Sequence, residues 1–237
     1  MPTYVYGITG ADHPLRLDGV EGVGEPPTAL RTVRTDTLTA VVSDAPEGLR
    51  AKRRDVRAHQ AVLEGLMADG ATLPMRFGLL APDDDQLAAA LDAEADGYRT
   101  RLRQLDGHVE FNLKVARDED DLLREIVTSS PRARELRERT LADPAAQEER
   151  LALGELISHE VDARRAAEGE ALLNTLAPAA TSVSVGEAGA DHLLSLSFLV
   201  QDAKTEELVE AVRREADRLG DAYTFTLTGP LPPYSFV

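Results

Sequence analysis

Apolar and polar positions organise this chain from its first residues. Tyr4, Tyr6 and Ile8 alternate with Val5 and Gly7, a period of two that predicts a strand buried on at least one face. A loop follows, because residues 10 to 28 hold four glycines and three prolines. ALRTVRT and TLTAVVS then flank Thr35-Asp36 as a hairpin. From Arg50 to Asp69 the period changes to that of a helix, with Val56, His59, Val62, Leu63, Leu66 and Met67 on one face and Gly70 placed to end it. ATLPMRF reads as the next strand. Pro74 inside it donates no ladder hydrogen bond, so this strand is expected at an edge or with a bulge. A helix over about Asp83 to Leu105 opens on Asp83, Asp84 and Asp85, whose charge suits the positive end of its dipole.

After Gly107 the segment HVEFNLKV places Val109, Phe111, Leu113 and Val115 on one face of a strand. Ser130-Pro131 and Asp143-Pro144 each pair an N-capping side chain with proline at the first helical position, which divides residues 118 to 176 into successive helices. The last, Pro144 to Leu176, would measure roughly 50 Å at 1.5 Å per residue. Asp162, Arg164 and Arg165 interrupt its apolar positions, so its middle is expected at a surface. TSVSV and LLSLSFLV pair across Gly186 to Asp191, a helix covers Lys204 to Leu219, and AYTFTLT completes the elements. Strand, helices, strand, strand, helix, strand is the order of a ferredoxin-like split βαβ unit.

The first half is a looser version, able to complete a similar sheet if HVEFNLKV is shared. The expected fold is therefore α+β in two domains. Residues 1–110 form a modified ferredoxin-like sheet-and-helix domain, and residues 111–237 an α+β domain with long helices, a ferredoxin-like element order and an apolar C-terminal tail.

Composition narrows the function. With 43% apolar residues the 237-residue chain can bury a core. Its formal charge of -16 repels a duplex or an anionic bilayer, so neither nucleic acid nor membrane is an expected partner. The absence of cysteine excludes disulfides, thiolate zinc sites and cysteine nucleophiles. No stretch reaches the roughly 18 apolar residues that suggest a membrane span, and MPTYVYGITG lacks a basic leader, so a cytoplasmic location is expected.

Candidate chemistry is sparse. The five histidines, His13, His59, His108, His159 and His192, are scattered. His159-Glu160 begins like a zincin helix, but Ala163 stands where the second histidine belongs. No metal, cofactor or catalytic residue is expected. Gly19, Gly22 and Gly24 string together without the following helix that a phosphate cradle needs. Arg50, Lys52, Arg53, Arg54 and Arg57 form a dense basic cluster. It reads first as a solvated helix start and otherwise as a patch for an acidic protein surface. His59, on the apolar helix face, reads as a core-edge histidine bonded to a carbonyl. Arg76 reads as either facing solvent or reaching a carboxylate at an interdomain seam, the seam being the favoured expectation.

The closing segment GPLPPYSFV carries no charged side chain, and Pro230, Pro232 and Pro233 lower the entropy lost when it is ordered. It should dock on its own domain or on a partner. Together with LPMRFGLL (Leu73 to Leu80) and the opening TYVYGIT, it resembles the gas vesicle protein GvpL/GvpF family. The resemblance implies a non-enzymatic accessory protein of gas vesicle formation, cytoplasmic and gas vesicle associated. Such a protein would bind the hydrophobic shell protein GvpA and other gas vesicle accessory proteins, assist nucleation or assembly, and possess no cofactor. The partner-binding residues expected on this basis are Pro74, Arg76, Phe77, Gly78, Leu231, Pro233, Tyr234 and Phe236. An alternative is a small-anion- or metabolite-binding protein or enzyme with an interdomain pocket around His59 and Arg76. A third is a scaffold that oligomerises through the Pro144 to Leu176 helix.

Overall fold

The computed structural model describes residues 1–143, 145–189 and 192–237. They divide into two compact units, one of Met1–Glu110 with Pro230–Val237 and one of Phe111–Gly229. The closing segment, read from the sequence as part of the second half, thus lies with the first.

The first unit is built on β1 (Thr3–Gly10), β2 (Arg31–Arg34), β3 (Leu38–Asp44), α1 (Arg53–Asp69), β4 (Thr72–Pro74), β5 (Leu80–Ala81), α2 (Asp84–Ala93) and α3 (Ala95–Leu105). Its sheet runs β2-β3-β1-β4, with β5 also pairing β1. β1 is central and buried from Thr3 to Thr9, which is why its sequence carries no charge. A bulge interrupts its pairing with β3 between Val5 and Gly7. The bare backbone of Gly7 lets α1 approach, since a Cβ there would lie 3.0 Å from the Leu63 side chain.

Tyr4 and Tyr6 pack with Val41, Val62, Leu63 and Leu66 in the core under α1. Thr3 points to the opposite face and donates its hydroxyl to Asp84 at 2.6 Å, which ties α2 to β1. Arg31 grips the same carboxylate through Nε at 3.0 Å and Nη2 at 2.9 Å and holds its pKa below the usual carboxylate range.

The expected edge strand is split. β4 pairs Gly7 to Thr9, β5 pairs Thr3 and Tyr4, and residues 75–79 form a turn between the two. The first sheet is therefore complete without HVEFNLKV, and the expected sharing does not occur. The helix read over Asp83 to Leu105 is two helices, because the backbone of Glu94 leaves helical geometry at φ -109°, ψ 16°. Asp83 caps the first, accepting from the Gln86 amide at 2.8 Å.

The second sheet starts with β6 (His108–Arg117) and includes β7 (Ser182–Val185), β8 (Leu194–Gln201) and β9 (Tyr223–Leu231), in the order β7-β8-β6-β9. Its helices are α4 (Glu119–Ser129), α5 (Pro131–Ala142), α6 (Gln147–Leu176) and α7 (Thr205–Leu219). Numbered within its own unit, each sheet reads fourth strand, first, third, second. That is the ferredoxin-like order, except that in the first unit the loop after β1 replaces the first crossover helix.

Asp118 and Ser130 cap α4 and α5, accepting from Asp121 N at 2.7 Å and Ala133 N at 3.3 Å. Pro144 and Asp191, named in the sequence reading, lie outside the described residues. α6 starts at Gln147, and its 30 residues span about 45 Å. Leu153, Leu156, Ile157 and Val161 pack on Leu122, Ile126 and Ala133 of α4 and α5.

Candidate functional site

The turn at residues 75–79 brings the sequence motif of Pro74, Arg76, Phe77 and Gly78 to the edge of the first sheet. Met75 N bonds Tyr6 O at 2.9 Å as the chain leaves β4, and Val5 N bonds Leu79 O at 3.1 Å as it rejoins the sheet. Gly78 adopts φ +89°, a conformation glycine supplies at little strain.

Beneath the turn lies His59, 2% exposed, on α1. Its Nε2 is 2.9 Å from the Met75 carbonyl oxygen and its Nδ1 is 2.8 Å from the Tyr4 hydroxyl. A carbonyl only accepts, so Nε2 carries the proton, Nδ1 accepts from Tyr4, and the Tyr4 oxygen accepts from Gly78 N at 3.2 Å. The relay Gly78 to Tyr4 to His59 to Met75 joins both ends of the turn to α1 and β1. Phe77 closes it, its ring 5.9 Å from Tyr4 and 5.7 Å from His59. Burial pushes the His59 pKa down and the Tyr4 pKa up.

This geometry bears out the carbonyl-bonded reading of His59. It also removes that residue from the anion or metabolite pocket, because both ring nitrogens are engaged and almost no surface is left for a ligand. Arg76 is exposed and, among the described residues, makes no ion pair. The carboxylate partner expected for it is not found, because Arg76 lies in a turn rather than in a regular strand. Leu79 and Leu80 beside it are 44% and 51% exposed.

The closing segment occupies the same unit. Pro232 and Pro233 are buried, Leu231 and Phe236 half-buried, and Tyr234 packs on the cluster that Phe77 also covers. Burial raises the Tyr234 pKa to about 12. Glu110, 1% exposed, accepts from Ser235 N at 2.8 Å and from its hydroxyl at 2.7 Å. The structure thus gathers Phe77 and Tyr234 onto one core and leaves Arg76, Leu79 and Leu80 at the surface. The glycine string has a structural role: Val23 N donates to the Tyr6 hydroxyl at 2.8 Å and Gly24 N to Asp55 at 3.0 Å.

Sequence reasoning missed a polar cluster in the second unit. Arg117 bonds Glu168 and Glu125 and lies 5.3 Å over the Tyr223 ring, while Arg164 bonds Glu125 and Ser129. Arg117 and Arg164 hold the Glu125 carboxyl below its usual range, whereas burial pushes the Glu168 carboxyl up against the opposing pull of Arg117. The signal was present in the charges that interrupt the apolar positions of α6. Among the described residues no three histidine or acidic side chains group as a metal site, and no helix is long and apolar enough to cross a membrane.

Comparison with known proteins gives this arrangement its setting. Residues 2–237 match the family described as gas vesicle synthesis protein GvpL/GvpF. The chain belongs to the GvpL/GvpF family. It is 42% identical to gas vesicle protein F of Streptomyces sp. (strain CB03234), with all of both chains covered. Gas vesicle protein L of the same strain is 28% identical, with 98% of this chain and 91% of that protein covered. The crystal structure of GvpF from Anabaena sp. PCC7120 superposes with a TM-score of 0.84 at 22% identity, over 99% of this chain and 97% of that one. GvpF from Microcystis aeruginosa superposes at 0.79 and 23% identity, over 99% and 98%. The fold is thus that of solved GvpF proteins. Membership of GvpL/GvpF gives the chain a role in gas vesicle formation alongside other gas vesicle components.

Proposed function

We propose that this chain is an F-type accessory protein that binds the hydrophobic shell protein GvpA during gas vesicle formation and assists its nucleation or assembly without catalysis. The observation that carries the reading is the surface at residues 74–80, where Arg76, Leu79 and Leu80 stand exposed on a turn fixed from below by His59 and Tyr4. An exposed aliphatic pair beside an arginine, held rigidly at a strand edge, suits an apolar partner whose own strand can pair there. The negative charge of the chain keeps such a factor soluble while it handles an aggregation-prone client.

In this reading Pro74, Phe77 and Gly78 shape the turn. Leu231, Pro233, Tyr234 and Phe236 brace it from within the unit rather than offering a separate surface. The F-type assignment is supported by 42% identity to protein F against 28% to protein L of one Streptomyces strain. The protein would act in association with the gas vesicle.

Co-expression with GvpA followed by pull-down tests the assignment. Leu79→Glu with Leu80→Glu should abolish recovery of GvpA while leaving the circular dichroism spectrum unchanged. Equal recovery with the folded double variant would refute the surface.

A further inference from the structure

The basic cluster at the start of α1 is only partly offset within the fold. Residues 50 to 57 carry five basic side chains and one acid in a chain of formal charge -16. Of the five, Arg54 alone forms ion pairs, to Glu25 at 2.6 Å and Asp55 at 3.5 Å. Arg50, Lys52, Arg53 and Arg57 are exposed and form no ion pair among the described residues, although acids outnumber bases 42 to 26 across the chain. Arg53, Val56 and Arg57 follow helical spacing i, i+3, i+4, so they share one face, with Val56 38% exposed between two guanidinium groups.

Arg50, Lys52 and Arg54 line a separate cleft of about 550 Å³ together with Glu25, Glu47 and Asp55. Like charges at i, i+4 destabilise a helix, and cations in its first turn oppose its dipole. The isolated chain therefore carries an unfavourable charge arrangement that Asp55 in the first turn and Glu25, paired with Arg54 and near Lys52, relieve only in part.

We infer that this basic face of α1 is a docking surface for a short acidic segment of another protein, one whose carboxylates flank an apolar residue. The carboxylates meet Arg50, Lys52, Arg53 and Arg57, and the apolar residue meets Val56. A short segment is favoured over nucleic acid or an anionic bilayer by range. A few carboxylates act within the screening length of about 8 Å at physiological ionic strength, whereas an extended polyanion also meets the acidic remainder of the molecule.

The test uses the full chain and a fluorescein-labelled peptide of repeating Glu-Glu-Leu-Ala, read by fluorescence anisotropy. An all-Gln version of the peptide, a single-stranded oligonucleotide of equal charge and phosphatidylserine vesicles run alongside. The acidic peptide is expected to bind more tightly than all three and to weaken steadily as salt rises from about 50 to 500 mM. Arg53→Glu with Arg57→Glu should weaken it about tenfold or more, since a buried or rim charge reversed in sign repels the ligand.

Arg53→Gln with Arg57→Gln provides a readout that does not depend on tolerating reversed charge. It should weaken the peptide while raising the melting temperature by about 2 °C, because it relieves the repulsion. Equal peptide affinity in these variants, equal affinity for the all-Gln peptide, or tighter binding of the oligonucleotide or vesicles would overturn the inference.

Discussion

Replacing His59 with phenylalanine keeps a buried ring on α1 and removes both of its hydrogen bonds. The Met75 carbonyl, 2.9 Å from it, would lose its side-chain donor, and the Tyr4 hydroxyl, 2.8 Å from it, would lose its acceptor while still accepting from Gly78 N. Each buried polar group left unsatisfied costs about 1 to 3 kcal/mol, so the expected loss for the two is about 2 to 6 kcal/mol.

The variant also isolates a pH effect. Burial lowers the folded-state pKa of His59 below its unfolded value of about 6.5. The unfolded state therefore binds the proton more readily. The stability that neutral His59 contributes is fully present above about pH 6.5 and is lost as pH falls below it, with a slope of at most about 1.4 kcal/mol per pH unit. Urea titrations of wild type and His59→Phe at pH 7.5, 6.5 and 5.5, with hydrogen exchange followed in peptides covering residues 72–81, provide the assay. The wild type should lose stability toward pH 5.5 more steeply than the variant, and the turn should exchange faster in the variant at every pH. Equal midpoints at pH 7.5, or identical pH slopes, would refute the relay.

Three further outcomes are expected. Arg117→Ala strips the cation from the half-buried Glu168, while Glu125 keeps Arg164, and should destabilise by about 3 to 5 kcal/mol by thermal melting, whereas adding Glu168→Gln should recover part of that loss. Gly229→Ala would drive a Cβ into the Phe111 ring, and a loss of about 1 to 3 kcal/mol by urea titration is the expected result. Removing residues 230–237 leaves the buried Glu110 carboxylate without its Ser235 bonds; limited proteolysis should then cut within Met1–Glu110 at protease concentrations that spare the intact chain.

Periodicity carried much of the fold. The strands and helices of the second unit were legible because their apolar spacings are regular and because Ser130-Pro131 announces its helix start in two adjacent residues. The break at Glu94 was not, since neither glycine nor proline stands at it. ATLPMRF read as one strand with Pro74 inside it; the glycine at position 78, at φ +89°, was the clue that the backbone turns away after Pro74. Pro74 and Phe77 were recognisable as special from the motif, but the relay beneath them needed Tyr4 and His59, which are 55 residues apart. The destination of the closing segment depends on Glu110, 125 residues away from Ser235, a separation at which local pattern is silent. Arg117, at the end of β6, and Glu168, on α6, were hidden because charged residues read as solvated unless their neighbours across the fold are known.

The order of the units along the polypeptide has a consequence for biogenesis. Residues 230–237 belong to the first unit but are translated after all of Phe111–Gly229. A nascent chain therefore finishes its second unit before the first can close over Tyr234 and Ser235. Until then the aromatic cluster under the turn lacks its cover, which couples completion of that surface to synthesis of residues 230–237 and makes it sensitive to termination upstream of Pro230.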